Sequence, residues 1–194
     1  MNQDSEHIET LKIPGKLYSI AEKLATELII ESNIFSLPID PFCIAQQKGI
    51  EVRAYSELPS NILNELSTKE QSGFSYFDPI INHSIIYFDD SQCYNRRRFT
   101  VAHELGHIVM NHKQDSALAE QLANHFAGYM LVPTPLIFVL DCEDYSEIKK
   151  HFSVSDDCAY IRFCRYRDWC AYNIDKSYER KLIKHFSRRS DVYD

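Results

Sequence analysis

The stretch Arg98-Phe99-Thr100-Val101-Ala102-His103-Glu104-Leu105-Gly106-His107 carries two histidines and a glutamate in the spacing H-E-x-x-H. On an α-helix, residues four apart are rotated by about 40° and lifted by about 6 Å, so the imidazoles of His103 and His107 converge on one ion. Glu104 lies about 100° round from His103, within reach of a water on that ion without being a ligand. At this composition the pattern arises by chance about 2% of the time, so its surroundings must decide.

The helical wheel supplies that context. Phe99, Thr100, Gly106 and Met110 share the histidine side, while Val101, Ala102, Leu105, Ile108 and Val109 lie opposite. The pattern predicts a helix near 94–111 that is buried on its far side and presents the histidines to something else. Gly106 costs a helix interior about 1 kcal/mol relative to alanine, and close approach by another segment or a substrate would account for it.

Zinc takes three protein ligands in a catalytic site and leaves a fourth position for water. The next predicted helix, near 116–132, offers Glu120 on a face of small residues with Ala117, Ala123, Ala127 and Asn124, whereas Leu118, Leu122 and Phe126 point away. Small residues let two helices approach with only an ion between them. Asn124, one turn on, is placed to orient a ligand imidazole or Glu120 by a hydrogen bond. If the first helix continues, His112 sits about 180° from His103 and serves as a C-terminal cap. His125 is about 140° from Glu120 and reads as a packing or orienting residue. Asp115 is the substitute ligand if Glu120 is not one. Glu104 is then the general base, passing the water's proton to the leaving amine. No oxyanion donor declares itself, and Tyr129 and the tyrosines of the predicted strands are the candidates. An extended peptide would pair with the edge of a strand at Ser84–Phe88.

Around this centre the chain reads as α+β, a small antiparallel or mixed sheet packed on several helices. Ile20, Leu24, Leu28 and Ile29 recur with a helical period from about Leu17 to Glu31. Asp40 caps a helix that Pro41 begins and Gly49 ends. Strands are expected at Ile50–Tyr55, Gly73–Phe77 and Ser84–Phe88, the last two as a hairpin. Residues 56–71 read as a loop with a short helical piece. Further helices fall near 134–140, 144–151 and 155–168, with a serine-rich N-cap at Ser153–Ser155. The expected division is an N-terminal extension (1–16), a metallopeptidase domain (17–170) and a basic C-terminal tail (171–194). The tail holds six Lys or Arg against four Asp or Glu, net +2 where the rest is −9. It reads as a solvated helix or frayed end, or as a surface for a partner.

The 194 residues fit one domain, and 44% hydrophobic with 25% charged residues is ordinary for a globular protein. A net charge of −7 argues against direct nucleic-acid binding. The opening MNQDSEHIETLKIPGKL lacks an apolar signal region, so a cytoplasmic location is expected. The run Ala123–Leu140 has no Asp, Glu, Lys or Arg, but Asn124, His125, Pro133 and Pro135 make it a buried helix and turn, not a membrane span. None of the six cysteines forms a C-x-x-C pair, and free thiols are expected. A deformylase would need a cysteine ligand in an E-G-C-type motif upstream, which the sequence lacks.

Three segments together resemble the ImmA/IrrE family of zinc metallopeptidases: R-F-T-V-A-H-E-L-G-H (98–107) with His112, E-Q-L-A-N-H-F-A-G-Y-M-L-V-P (120–133), and P-I-D-P-F (38–42) with Gly49-Ile50. Looser similarity reaches F-S-V-S-D-D-C-A-Y-I-R (152–162), so the likeness spans about residues 17–168. The resemblance implies a zincin-like α+β fold, zinc held by His103, His107 and Glu120, and Glu104 as the catalytic residue. It also implies a substrate, since members of the family cleave helix-turn-helix repressors of mobile elements or stress genes. The alternative is a partner that sequesters a DNA-binding repressor without hydrolysing it. The sequence departs from the family at Arg162-Phe163-Cys164-Arg165-Tyr166, where Arg-Leu and a Leu-Gly pair are usual, and in its basic tail.

Overall fold

The computed structural model describes residues 15–68, 71–80, 82–114, 116–172 and 176–187. Most of the expected N-terminal extension, Asp115 and the end of the basic tail lie outside them. The first helix, α1 (Gly15–Glu31), buries Ala21, Ala25, Leu28 and Ile29. Ile20, expected on the buried face from its spacing, is 44% exposed. The alanines occupy that face instead, because small side chains permit close helix packing. Asp40 accepts a hydrogen bond from Phe42 N at 3.0 Å and Pro41 takes the first turn, starting α2 (Pro41–Gln47).

The chain turns at Gly49 into β1 (Glu51–Ala54), followed by a 3₁₀ turn (Tyr55–Glu57) that Glu57 closes by accepting from Ala54 N at 2.9 Å. The expected loop at 56–71 holds a full helix, α3 (Ser60–Thr68). Strands β2 (Gly73–Asp78) and β3 (His83–Phe88) form the hairpin. The sheet is mixed, in the order β1-β3-β2: β3 runs parallel to β1 with Val52 opposite Ile86, and antiparallel to β2 with Ser75 opposite Ile86. This overturns one expectation. Ser84–Phe88 is the central strand, so both its edges are occupied and a peptide cannot add there; the outer strands are β1 and β2.

Helix α4 (Tyr94–Val109) lies against β2 and β3 and packs on α5 (Ala117–Leu131), which in turn packs on α1. Ser116 Oγ caps α5 by accepting from Ala119 N at 3.1 Å. The apolar stretch Ala117–Val139 is mostly buried inside the protein, where it builds the core with α1 and α4. Pro135 sits in the first turn of α6 (Thr134–Val139), and Asp144 caps α7 (Tyr145–Phe152) through Ser146 N and Glu147 N. Ser155 Oγ accepts from Cys158 N at the start of α8 (Asp156–Tyr172). Arg98, 1% exposed, pins α4 to its neighbours by donating to the carbonyls of Phe152, Ser153 and Ile39. Two of those carbonyls end α7, where a cation complements the helix dipole.

The last helix, α9 (Ser177–Ser187), docks on α1 and α6 and buries Tyr178 and Leu182. Glu22 of α1 is the anchor, accepting from Lys176 Nζ at 2.6 Å, Tyr178 Oη at 2.7 Å and His125 Nε2 at 3.1 Å. This part of the tail is therefore packed, not solvated, because three donors satisfy one buried carboxylate. All six cysteines are free thiols.

Candidate metal centre

His103 and His107 sit one turn apart on α4, and Glu120 faces them from the first turn of α5. Their Nε2 atoms are 3.0 Å apart, and the Glu120 oxygens lie 3.3 Å from each. These three residues form a cluster able to hold a metal ion, with every ligand atom within 4.8 Å of the others. Glu120 Oε2 faces His103 and Oε1 faces His107, and separations of 3.0–3.3 Å are close to the ligand–ligand spacing of about 3.3 Å in a four-coordinate site with bonds of about 2 Å. Two imidazole nitrogens and a carboxylate are donors that suit a divalent transition metal.

The outer ring nitrogens fix which atoms face inward. His103 Nδ1 lies 3.0 Å from Asn124 Oδ1, an atom that only accepts, so the proton is on Nδ1 and the Nε2 lone pair faces the cluster. Burial lowers the His103 pKa against the pull of Glu120 and Asn124, which keeps the ring neutral as a ligand must be. His107 is held through Nδ1 by His112 Nδ1 at 3.2 Å. This corrects the expectation that His112 faces away. The helix stops at Val109, and Asn111 takes a left-handed conformation (φ 55°) that turns the chain back, carrying His112 to His107. Burial and the neighbouring His107 both lower the pKa of His112.

Gly106 faces α5. A Cβ there would lie 3.0 Å from Phe126 Cδ1 and 3.3 Å from Phe126 Cβ, so the segment that approaches is α5 itself. Phe126, expected to point away from this contact, is its centre and fully buried. The absent side chain at Gly106 brings the two helices close enough for Glu120 to meet both histidines.

Glu104 is 7% exposed, on the sheet side of α4. Gly73 opens β2 directly above it: a Cβ at Gly73 would stand 3.8 Å from Glu104 Cγ and collide with Thr100. Beside them the Tyr55 hydroxyl is buried and has no hydrogen-bond partner among the described residues. Its pKa is pushed up to about 12, by burial first and then by the charges of Glu104 and Asp89. Tyr55 is one of the tyrosines of the predicted strands, and burial brings it under the charge of Glu104; Gly73 was not legible, because a strand packing on a helix carries no local motif.

The other candidates lie elsewhere. Tyr129 is fully buried with its hydroxyl 3.4 Å from Thr26 Oγ1, so it cannot serve an oxyanion. His125 packs on Tyr18 at a tilt, with ring centroids 4.4 Å apart, and bonds Glu22, away from the cluster.

Residues 45–163 match the peptidase family M78, described as the IrrE N-terminal-like domain. No curated protein matches the chain. Among solved structures, it is similar to a Mycobacterium tuberculosis transcriptional regulator at 19% identity with a TM-score of 0.43. That match covers 75% of this chain and 45% of the other, so the chain spans less than half of that protein's length.

Proposed function

The chain belongs to the ImmA/IrrE family of peptidases, and from that premise we propose that it is a zincin-like, zinc-dependent endopeptidase that cleaves a helix-turn-helix repressor. The observation that carries the reading is the convergence of His103 Nε2, His107 Nε2 and the Glu120 carboxylate, with Glu104 one residue from the first ligand. His103, His107 and Glu120 would hold the metal, and Asn124 and His112 would orient the two imidazoles. Zinc, when bound, supplies Lewis acidity to the scissile carbonyl and to the attacking water. A carboxylate oxygen of Glu104 takes the proton from that water and later gives it to the leaving amine. The outer edge of β2, which begins at Gly73 over Glu104, is where an extended peptide would pair. We place its action in the cytoplasm, the compartment in which free thiols persist.

The test uses the zinc-loaded protein and candidate helix-turn-helix repressors from the same genome, each offered in turn. Wild type should cut one of them at one site, and Glu104→Gln should keep its zinc and lose cleavage. Unchanged cleavage by Glu104→Gln would refute the mechanism. Release of the repressor from its operator by Glu104→Gln, with the repressor intact, would replace hydrolysis with sequestration.

A further inference from the structure

A cavity of about 780 Å³ opens beside the metal cluster, between the N-terminal half of α4, one face of α5, the start of α8 and Tyr18 of α1. It adjoins the cluster through two lining residues. Asn124 holds His103, and the Phe99 ring lies 6.4 Å from the His103 ring. A peptide whose carbonyl reaches the cluster therefore has neighbouring side chains within reach of this cavity, since each extended residue spans about 3.3–3.6 Å.

The charge of the lining runs against that of the chain. Arg96, Arg162 and Arg165 face Asp157 as the sole carboxylate of the lining, in a protein of net charge −7. Arg162 is buried and donates to two neutral acceptors, Val132 O at 3.1 Å and Thr134 Oγ1 at 2.6 Å, which fixes a positive charge at the floor. Arg96 and Arg165 are exposed on the rim, and neither forms an ion pair among the described residues. Arg96 donates to Ser72 Oγ at 3.0 Å, and the Arg165 guanidinium lies 5.3 Å from the Tyr18 ring centroid. Each guanidinium carries five N–H donors, so most remain available for a carboxylate, which matches the fork geometry. Between the arginines, Phe99, Leu131, Val154 and the half-exposed Ile161 give an apolar wall for the stem of a side chain.

We propose that this cavity is a specificity subsite that takes an aspartate or glutamate side chain of the polypeptide substrate, with Arg96 and Arg165 binding its carboxylate. The proposal rests on the peptidase reading for its substrate class, and the test separates the two. Short fluorescent peptides that differ only in Glu or Gln positions are bound to zinc-loaded Glu104→Gln protein and, in parallel, offered to wild type for cleavage. The Glu peptides should bind about tenfold tighter, the effect of one charge-assisted contact. Arg96→Gln with Arg165→Gln should abolish that preference, and Lys23→Gln, on the outer face of α1, should leave it intact. Equal binding of Glu and Gln peptides, or a preference that survives loss of both arginines, overturns the subsite even if wild type cleaves both. A preference that depends on the arginines, in a wild type that cuts neither these peptides nor any candidate repressor, sustains the subsite and overturns the peptidase reading.

Discussion

Gly106→Ala is the substitution for which helix propensity and packing predict opposite signs. In a helix interior alanine is favoured over glycine by about 1 kcal/mol, so propensity alone predicts stabilisation. The new methyl would stand 3.0 Å from Phe126 Cδ1, 3.2 Å from Cγ and 3.3 Å from Cβ. Rotation of the ring can relieve the first contact, but the Cβ moves only with the backbone of α5. Phe126 is fully buried, so the ring has no solvent to withdraw into. Overpacking of this kind costs about 1–3 kcal/mol, which exceeds the propensity gain and leaves a net loss of about 1 kcal/mol. For a chain of this size that is a fall in Tm of about 2–4 °C. Thermal unfolding of the metal-free protein, followed by circular dichroism, measures it. The same substitution in a Phe126→Leu background should be neutral or stabilising, with a coupling of about 1 kcal/mol between the two sites. Because the displaced helix carries Glu120 and Asn124, zinc affinity should fall with stability in the single variant and recover in the double. A rise in Tm for Gly106→Ala alone would refute this account of the α4–α5 contact.

Glu120→Ala removes one of the three proposed ligands and should abolish stoichiometric zinc retention on dialysis, checked by elemental analysis; full retention would remove Glu120 from the site. Asn124→Ala leaves His103 Nδ1 without its acceptor and should weaken zinc about 10–100-fold in a competition titration, with His112→Ala acting in the same direction through His107. Stability should fall with acid in two stages. Burial lowers the pKa of His125 to about 4 from 6.5, so its neutral ring favours the fold fully above about pH 6.5 and the contribution, about 3 kcal/mol, disappears by about pH 4. Glu22 lies at about 2 instead of 4.5, because bonds from His125, Lys176 and Tyr178 outweigh its burial, so its contribution is lost as pH falls from about 4.5 towards 2. Thermal melts of wild type and His125→Gln should diverge in slope between pH 7 and 4, and parallel profiles would remove His125 from the account.

Much of this architecture is legible in local signals. Asp40-Pro41, Ser116 and Asp144 start helices because a side-chain oxygen and a preset φ act on the next few residues alone. The spacing of His103, His107 and Glu104 is likewise a property of one helix. The approach of Glu120 and Asn124 from α5 was readable because small residues flank them, although the wheel alone placed Phe126 on the wrong side. On a helix as buried as α5, where Leu122, Ala123, Phe126, Ala127 and Tyr129 are all in the core, a face is no longer marked by apolar residues and two neighbours can claim it. Ile20 failed for the converse reason: periodicity weights the large apolar residue, and packing against α1 favoured the alanines beside it.

The position of β3 and that of His112 mark where local reading ends. Strand order depends on which strands meet across the 28 residues between β1 and β3; the continuous run Ile85-Ile86-Tyr87-Phe88, where β1 alternates, marks a strand covered on its faces but does not name the strands at its edges. His112 depended on one backbone torsion. With the helix continued it would face away from His103; with Asn111 left-handed it reaches His107. Asparagine is among the few residues that adopt this conformation readily, so Asn111, four residues past the end of the motif, was the available signal. A helix that stops there converts a C-terminal histidine into a partner for His107. Asn111→Ala, which disfavours that turn, should therefore weaken zinc in the same competition titration as His112→Ala, and the two losses should not add. Additive losses would mean that His112 reaches His107 without help from the turn.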